Sequence, residues 1–162
     1  MECTSEVIGW SVVTYPDLSG LFRQLVRFQI ELWDGLDVRL RSEHDLPLAR
    51  FEILQAIDAR GTCRVFDIAE DLVVTMSGIS KLVDRVEAAG YCRRRANPDD
   101  RRSSLIELTD DGRTVMEQAN ATYQQELDKR FDAVLSEAEL RQLHGTLDKL
   151  RAAGHTIKRK PS

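Results

Sequence analysis

The apolar positions of this chain form a series of helical stripes, interrupted once by a stretch of shorter period. From Asp17 to Arg41 they fall at Leu18, Leu21, Phe22, Leu25, Phe28, Leu32, Trp33, Leu36 and Leu40, the three-and-four spacing of an α-helix. Val26, Ile30 and Val38 widen that stripe beyond a single contact face, which predicts a helix packed between its own domain and a partner subunit. Glu43 to Pro47 breaks the pattern. It resumes from Leu48 to Ala59 through Phe51, Leu54 and Ile57, and Gly61 ends it. A short helix is expected at Val65 to Leu72, then a longer one within VVTMSGISKLVDRVEAAGY, residues 73–91. Thr75 or Ser77 is able to cap that helix, Ile79, Leu82, Val83 and Val86 face inward, and Gly90 closes it.

Past Gly90 the period drops toward two. YCRRR and SLIEL flank the turn Asn97-Pro98-Asp99-Asp100 and predict a β-hairpin. Thr109 stops the second strand and caps a new helix whose first turn holds Asp110 and Asp111, where carboxylates favour the positive dipole end. Val115, Met116, Ala119, Tyr123, Leu127, Phe131 and Val134 give that helix one stripe. Ser136 and Glu139 form a capping box that opens the last helix, with Leu140, Leu143, Leu147 and Leu150 inward. The tail HTIKRKPS is basic and polar, and is expected to fray.

Helix, short helix, longer helix and hairpin, in that order, make a winged helix-turn-helix. Its second helix lies in a DNA major groove and its hairpin reaches neighbouring backbone or minor groove. Once the inward positions are assigned, Thr75, Ser77, Gly78, Ser80, Lys81 and Arg85 remain on the outer face of the longer helix. Small residues at a helix start let the backbone approach the duplex, and Ser and Thr bond base edges or phosphates. Gly78 costs a helix about 1 kcal/mol relative to Ala. Close approach to the groove is one compensation, and tight packing on the preceding helix is the other.

Charge changes this picture in its distribution more than in its total. The net charge is −4, yet residues 75–103 hold seven basic against four acidic side chains, +3 locally, which leaves −7 for the rest. The hairpin arginines Arg94, Arg95, Arg101 and Arg102, with Asp100, are expected to form a DNA-contacting wing; the competing reading is a solvated ribbon. The clustering of Arg101 and Arg102 beside Asp99 and Asp100 favours a wing tip, because a carboxylate two residues before an arginine is able to hold its guanidinium extended for a narrow minor groove.

Asp100, Arg102, Leu108, Thr109 and Gly112 follow the pattern D-x-R, five residues, L-T-x-x-G, which resembles the wing signature of the MarR family of bacterial transcription regulators. SGISKLVDRVEAAGY resembles that family's recognition helix and the turn after it, and IAEDL its preceding helix. The resemblance runs from about Asp17 to Leu150. It implies a triangular homodimer, interlocked through its first and last two helices, on a pseudopalindromic operator in double-stranded DNA. It also implies that Arg102 enters the minor groove with Asp100 orienting it. A further implication is repression relieved by a small aromatic or phenolic effector bound between the dimerisation helices and the DNA-binding lobe, with Trp33 and Arg85 as candidate lining residues. Two features depart from the pattern. Phe22, Arg23 and Gln24 stand where the thiol-oxidation branch has its reactive cysteine, and Asn97 replaces an aspartate often found at the turn.

The expected fold is therefore mainly α with a small β-hairpin (α+β), a winged helix-turn-helix with N- and C-terminal dimerisation helices. Residues 1–16 form an extension, 17–42 the first dimerisation helix, 43–109 the DNA-binding lobe, 110–153 the C-terminal dimerisation helices and 154–162 a basic tail. Cys3, Cys63 and Cys92 are an odd, widely spaced set that indicates neither a disulfide framework nor a zinc knuckle, and inert thiols are favoured over a redox switch. His44, His144 and His155 pair with nothing in metal or nucleophilic spacing, so no metal, cofactor or catalytic centre is expected. MECTSEVIGW lacks the basic and apolar regions of a leader, and no apolar run is long enough for a membrane span, so a cytoplasmic protein without a membrane partner is expected. The competing function is a winged-helix protein-interaction module that does not bind DNA.

Overall fold

The computed structural model describes residues 17–72, 75–100 and 102–158. Six helices and one hairpin follow in order: α1 (Leu18–His44), α2 (Leu48–Arg60), α3 (Val65–Leu72), α4 (Met76–Ala88), β1 (Cys92–Ala96), β2 (Ser104–Leu108), α5 (Asp110–Arg130) and α6 (Glu137–Lys158). This is the winged helix-turn-helix that the periodicity predicts. The strands are antiparallel, with Cys92 opposite Leu108 and Arg94 opposite Ile106. Cys63, just before α3, adds an isolated bridge to Ile106, with paired amide-to-carbonyl bonds of 3.1 and 2.7 Å. No periodicity betrays a one-residue strand, and the sequence reading misses it.

The core lies where α2, α3, α4 and the hairpin meet. Phe51, Leu54, Ile57, Ile68, Ile79, Val83, Val86 and Ile106 are fully buried there. Leu36 and Leu40 bring the second half of α1 against this lobe, and Ala119 brings α5. Phe51 packs on Tyr123 with ring centroids 5.0 Å apart.

Polar groups join α1 to α5. Glu126 is 6% exposed and is met by Arg130 at 3.0 Å, Arg39 at 3.5 Å and Lys129 at 3.8 Å. Burial pushes its carboxyl up, but the bond and charge of Arg130, with Lys129 and Arg39, outweigh that and hold it below the usual carboxylate range. Gly35 makes the approach possible, since a Cβ there would come within 2.7 Å of the Arg130 guanidinium. Glu43 and His44 both reach the Thr122 hydroxyl at 2.8 Å. These contacts explain why α1 runs through His44, past the expected break at Glu43. The helix closes at Asp45, whose φ of 50° places it in the left-handed region that Asp tolerates.

Three further expectations are corrected, and two buried polar positions were not foreseen. α5 stops at Arg130, so Phe131 and Val134 fall in the turn rather than on its stripe, and Val134 is exposed. Thr122 and Glu126, polar positions outside the apolar stripe, are buried instead. Leu143, Leu147 and Leu150 do not face inward within one chain, and among the described residues no substantial packing joins α6 to the other elements. Finally, α6 continues to Lys158, where a frayed tail was expected from residue 155; residues 159–162 lie outside the described residues.

Candidate nucleic-acid interface

The recognition helix begins with a true cap. Thr75 is extended, and its hydroxyl accepts the Gly78 amide at 3.4 Å with Ser77 Oγ 3.5 Å away. Thr75, Ser77, Lys81 and Arg85 are exposed, while Gly78 and Ser80 are half-buried. Met76, exposed at 45% beside them, adds an apolar contact that the sequence reading passes over. Its first-turn position next to the cap was the available signal.

The wing tip is folded by its own side chains. Asn97 Oδ1 accepts the Asp99 amide at 3.0 Å, and Asn97 Nδ2 donates to Ser103 Oγ at 2.8 Å. Asp100 Oδ1 accepts the backbone amide of Arg102 at 3.0 Å, and the Asp100 carbonyl accepts from the Ser103 amide at 3.1 Å. Asp100 thus acts on the backbone under Arg102. The expected carboxylate brace on the guanidinium is replaced by a turn bond, the shorter reach for an Asp two residues upstream. Arg101 lies outside the described residues.

The arginines of β1 are engaged within the protein. Arg93 and Arg95 bond Glu107 on the neighbouring strand at 2.7 and 3.3 Å, which holds that carboxyl below its usual range, the Arg93 hydrogen bond leading. Arg94 turns back to α4, where its guanidinium meets Asp84 at 2.6 Å and also Glu87. By contrast, Lys81, Arg85 and Arg102 pair with no carboxylate among the described residues. Among the described residues, Lys81 and Arg85 on the helix face and Arg102 at the wing tip are therefore left without a carboxylate, whereas the arginines of the wing arm are paired.

Trp33 and Arg85 are not brought together. Trp33 is on α1, which packs on α5 and α2, whereas Arg85 is on α4, which packs on α3, α2 and β1. Cys63 and Cys92 are buried free thiols, both pushed up to about 11 by burial. Among the described residues no helix is long and apolar enough to cross a membrane.

A capped helix with a polar, cationic outer face, followed by a hairpin with a folded cationic tip, defines a DNA-binding winged-helix protein. The model of the MarR family matches residues 46–104. The chain is 31% identical over 106 residues to an HTH-type transcriptional regulator of Bacillus cereus, a match that covers 65% of this chain and 70% of that protein. It is also 31% identical over 71 residues to the HTH-type transcriptional regulator YfiV of Bacillus subtilis, covering 44% of each, so less than half of that relative is spanned. The crystal structure of a MarR mutant from E. coli complexed with operator DNA superposes with a TM-score of 0.73 at 26% identity, covering 82% of this chain and 94% of that one. The protein belongs to the MarR family and is a DNA-binding transcription regulator, not an enzyme.

Proposed function

We propose that the protein acts as a homodimer on a pseudopalindromic operator, as a repressor released by a small aromatic or phenolic effector. The DNA face is assigned to Thr75, Ser77, Gly78, Ser80, Lys81 and Arg85 of α4 and to Arg102 at the wing tip. The observation that carries this assignment is that Lys81, Arg85 and Arg102 lack carboxylate partners among the described residues, while the other described hairpin arginines are paired. Met76 supplies an apolar surface suited to a thymine methyl group. Arg85 is assigned to DNA rather than to the effector because it shares α4 with those positions. The effector is placed against Trp33, which stays 38% exposed on α1.

Homodimerisation is supported by apolar surface that one chain leaves uncovered. Phe22 on α1 is 66% exposed and Leu150 on α6 is 59% exposed. Phe131, Leu140, Leu143, His144 and Leu147 line an apolar groove of about 470 Å³ beside the α5–α6 turn. The two recognition helices of such a dimer would meet half-sites about one helical turn apart.

The test begins with duplexes selected from a random library by the wild-type protein, followed by gel shifts with and without hydroxybenzoic acids. A symmetric sequence bound by two chains is expected. Arg102→Ala should cost about 1 to 3 kcal/mol in binding it, and Asp100→Ala less. An Arg102→Ala variant that binds as tightly as wild type would overturn the wing assignment. If no ligand releases the complex or quenches Trp33 fluorescence, the effector reading fails alone.

A further inference from the structure

We infer that Arg94 is a positioning residue that locks the wing to the recognition helix and makes no contact with DNA. Strand alternation puts Arg94 on the same face of the hairpin as buried Cys92, opposite Ile106 and just beyond the edge of the core. Its side chain is 27% exposed. Asp84 and Glu87 are three positions apart on α4 and so share one helix face. One guanidinium spans both: Nη2 donates to Asp84 Oδ1 at 2.6 Å, Nη1 donates to Glu87 Oε2, and the Arg94 amide donates to Glu87 Oε1 at 2.9 Å. Planar, forked donors are what such a bridge requires, and a lysine cannot reproduce them.

The clasp differs from the other arginine contacts of the wing. Arg93 and Arg95 bond Glu107 within the hairpin and stiffen the ribbon without fixing its direction. Among the described residues, the two Arg94 pairs are the ion pairs that join α4 to the hairpin. Near the root the two elements are also joined by the Tyr91 amide bonding the Val86 carbonyl at 3.1 Å, and Ile106, opposite Arg94, is held to Cys63, so the clasp sits where the ribbon leaves these backbone anchors. Without the clasp a small rotation there displaces the tip by a larger distance. Operator recognition needs α4 and Arg102 placed together in adjacent grooves. Random-duplex binding needs only the charge. Two carboxylates on one patch would also repel phosphates, which argues against Arg94 as a phosphate contact.

This inference rests on the reading that α4 and the wing tip face DNA. The test uses the full-length protein and the charge-neutral double variant Arg94→Met/Glu87→Gln, with affinities measured over a salt series on the selected duplex and on a random one. Operator affinity should fall about tenfold, the scale of a coupled pair. Random-duplex affinity and the salt slope should stay as in wild type. Arg94→Lys keeps the charge but not the bridge, and should also lose operator affinity. If the double variant lowers the salt slope by about 0.9 per subunit and weakens both duplexes, or if Arg94→Lys binds as wild type, Arg94 is a phosphate contact and the inference is overturned. An unchanged operator affinity in the double variant overturns it as well. If the wild-type protein does not discriminate between duplexes, the reading of the DNA face fails and takes the clasp with it.

Discussion

Cys63 and Cys92 sit on either side of β2, opposite Ile106 and Leu108 on its core-facing side. Burial, helped by the charge of Asp67 near Cys63 and of Glu87 near Cys92, stabilises the neutral thiol, so at pH 8 the reactive thiolate is a small minority at either site. Native protein should therefore resist alkylation at both positions and become labelled only in urea, as read by peptide mass spectrometry; labelling of either within minutes under native conditions would restore a redox role. Replacement by alanine is the suitable control, since serine would bury a hydroxyl. The wing tip was legible in outline in the sequence. The action of Asp100 was not. A D-x-R pattern places a carboxylate near both the amide and the guanidinium of Arg102, and only geometry distinguishes the two.

At the scale of elements, the L-T-x-x-G motif is a joint between the wing and α5. Thr109 Oγ1 accepts the Gly112 amide at 3.0 Å and donates to the Gly90 carbonyl at 2.6 Å, tying the cap of α5 to the root of β1. Gly112 is required by space, because a Cβ there would lie 1.9 Å from the Tyr91 carbonyl oxygen, a backbone atom that cannot swing aside. A helix ordinarily gains about 1 kcal/mol from Gly→Ala. Here Gly112→Ala should instead destabilise the fold by about 1 to 3 kcal/mol, seen as a lower urea midpoint, and a stabilised variant would refute the joint. Helix positions were legible because each carries an apolar period, and α4, α5 and α6 also open on a Thr or Ser cap. The contacts between elements were not, since they join distant residues: Asp37 of α1 accepts the Leu48 amide at 2.8 Å at the start of α2, and Glu126 of α5 gathers Arg39 of α1.

For the whole molecule, the winged-helix lobe has a core of its own, whereas the N-terminal half of α1 and Leu143, Leu147 and Leu150 of α6 leave apolar surface exposed. That division was visible in the sequence as stripes too wide for a single face. The periodicity of α6 marked its leucines as buried without saying by which chain. The two readings differ in what a charge placed on that surface would do. Leu147 is 42% exposed and lines the apolar groove on α6, so within one chain a glutamate there would meet solvent and leave the fold unchanged. In a dimer that buries more than roughly 2,000 Å², the same glutamate would be desolvated without a partner. Leu147→Glu should then shift sedimentation at micromolar concentration from two chains toward one and lower operator affinity. The lobe's helical content and hairpin should remain intact by circular dichroism and amide exchange. If the variant sediments as wild type, or if wild type is itself a single chain at that concentration, the exposed faces of α1 and α6 are not covered by a second copy.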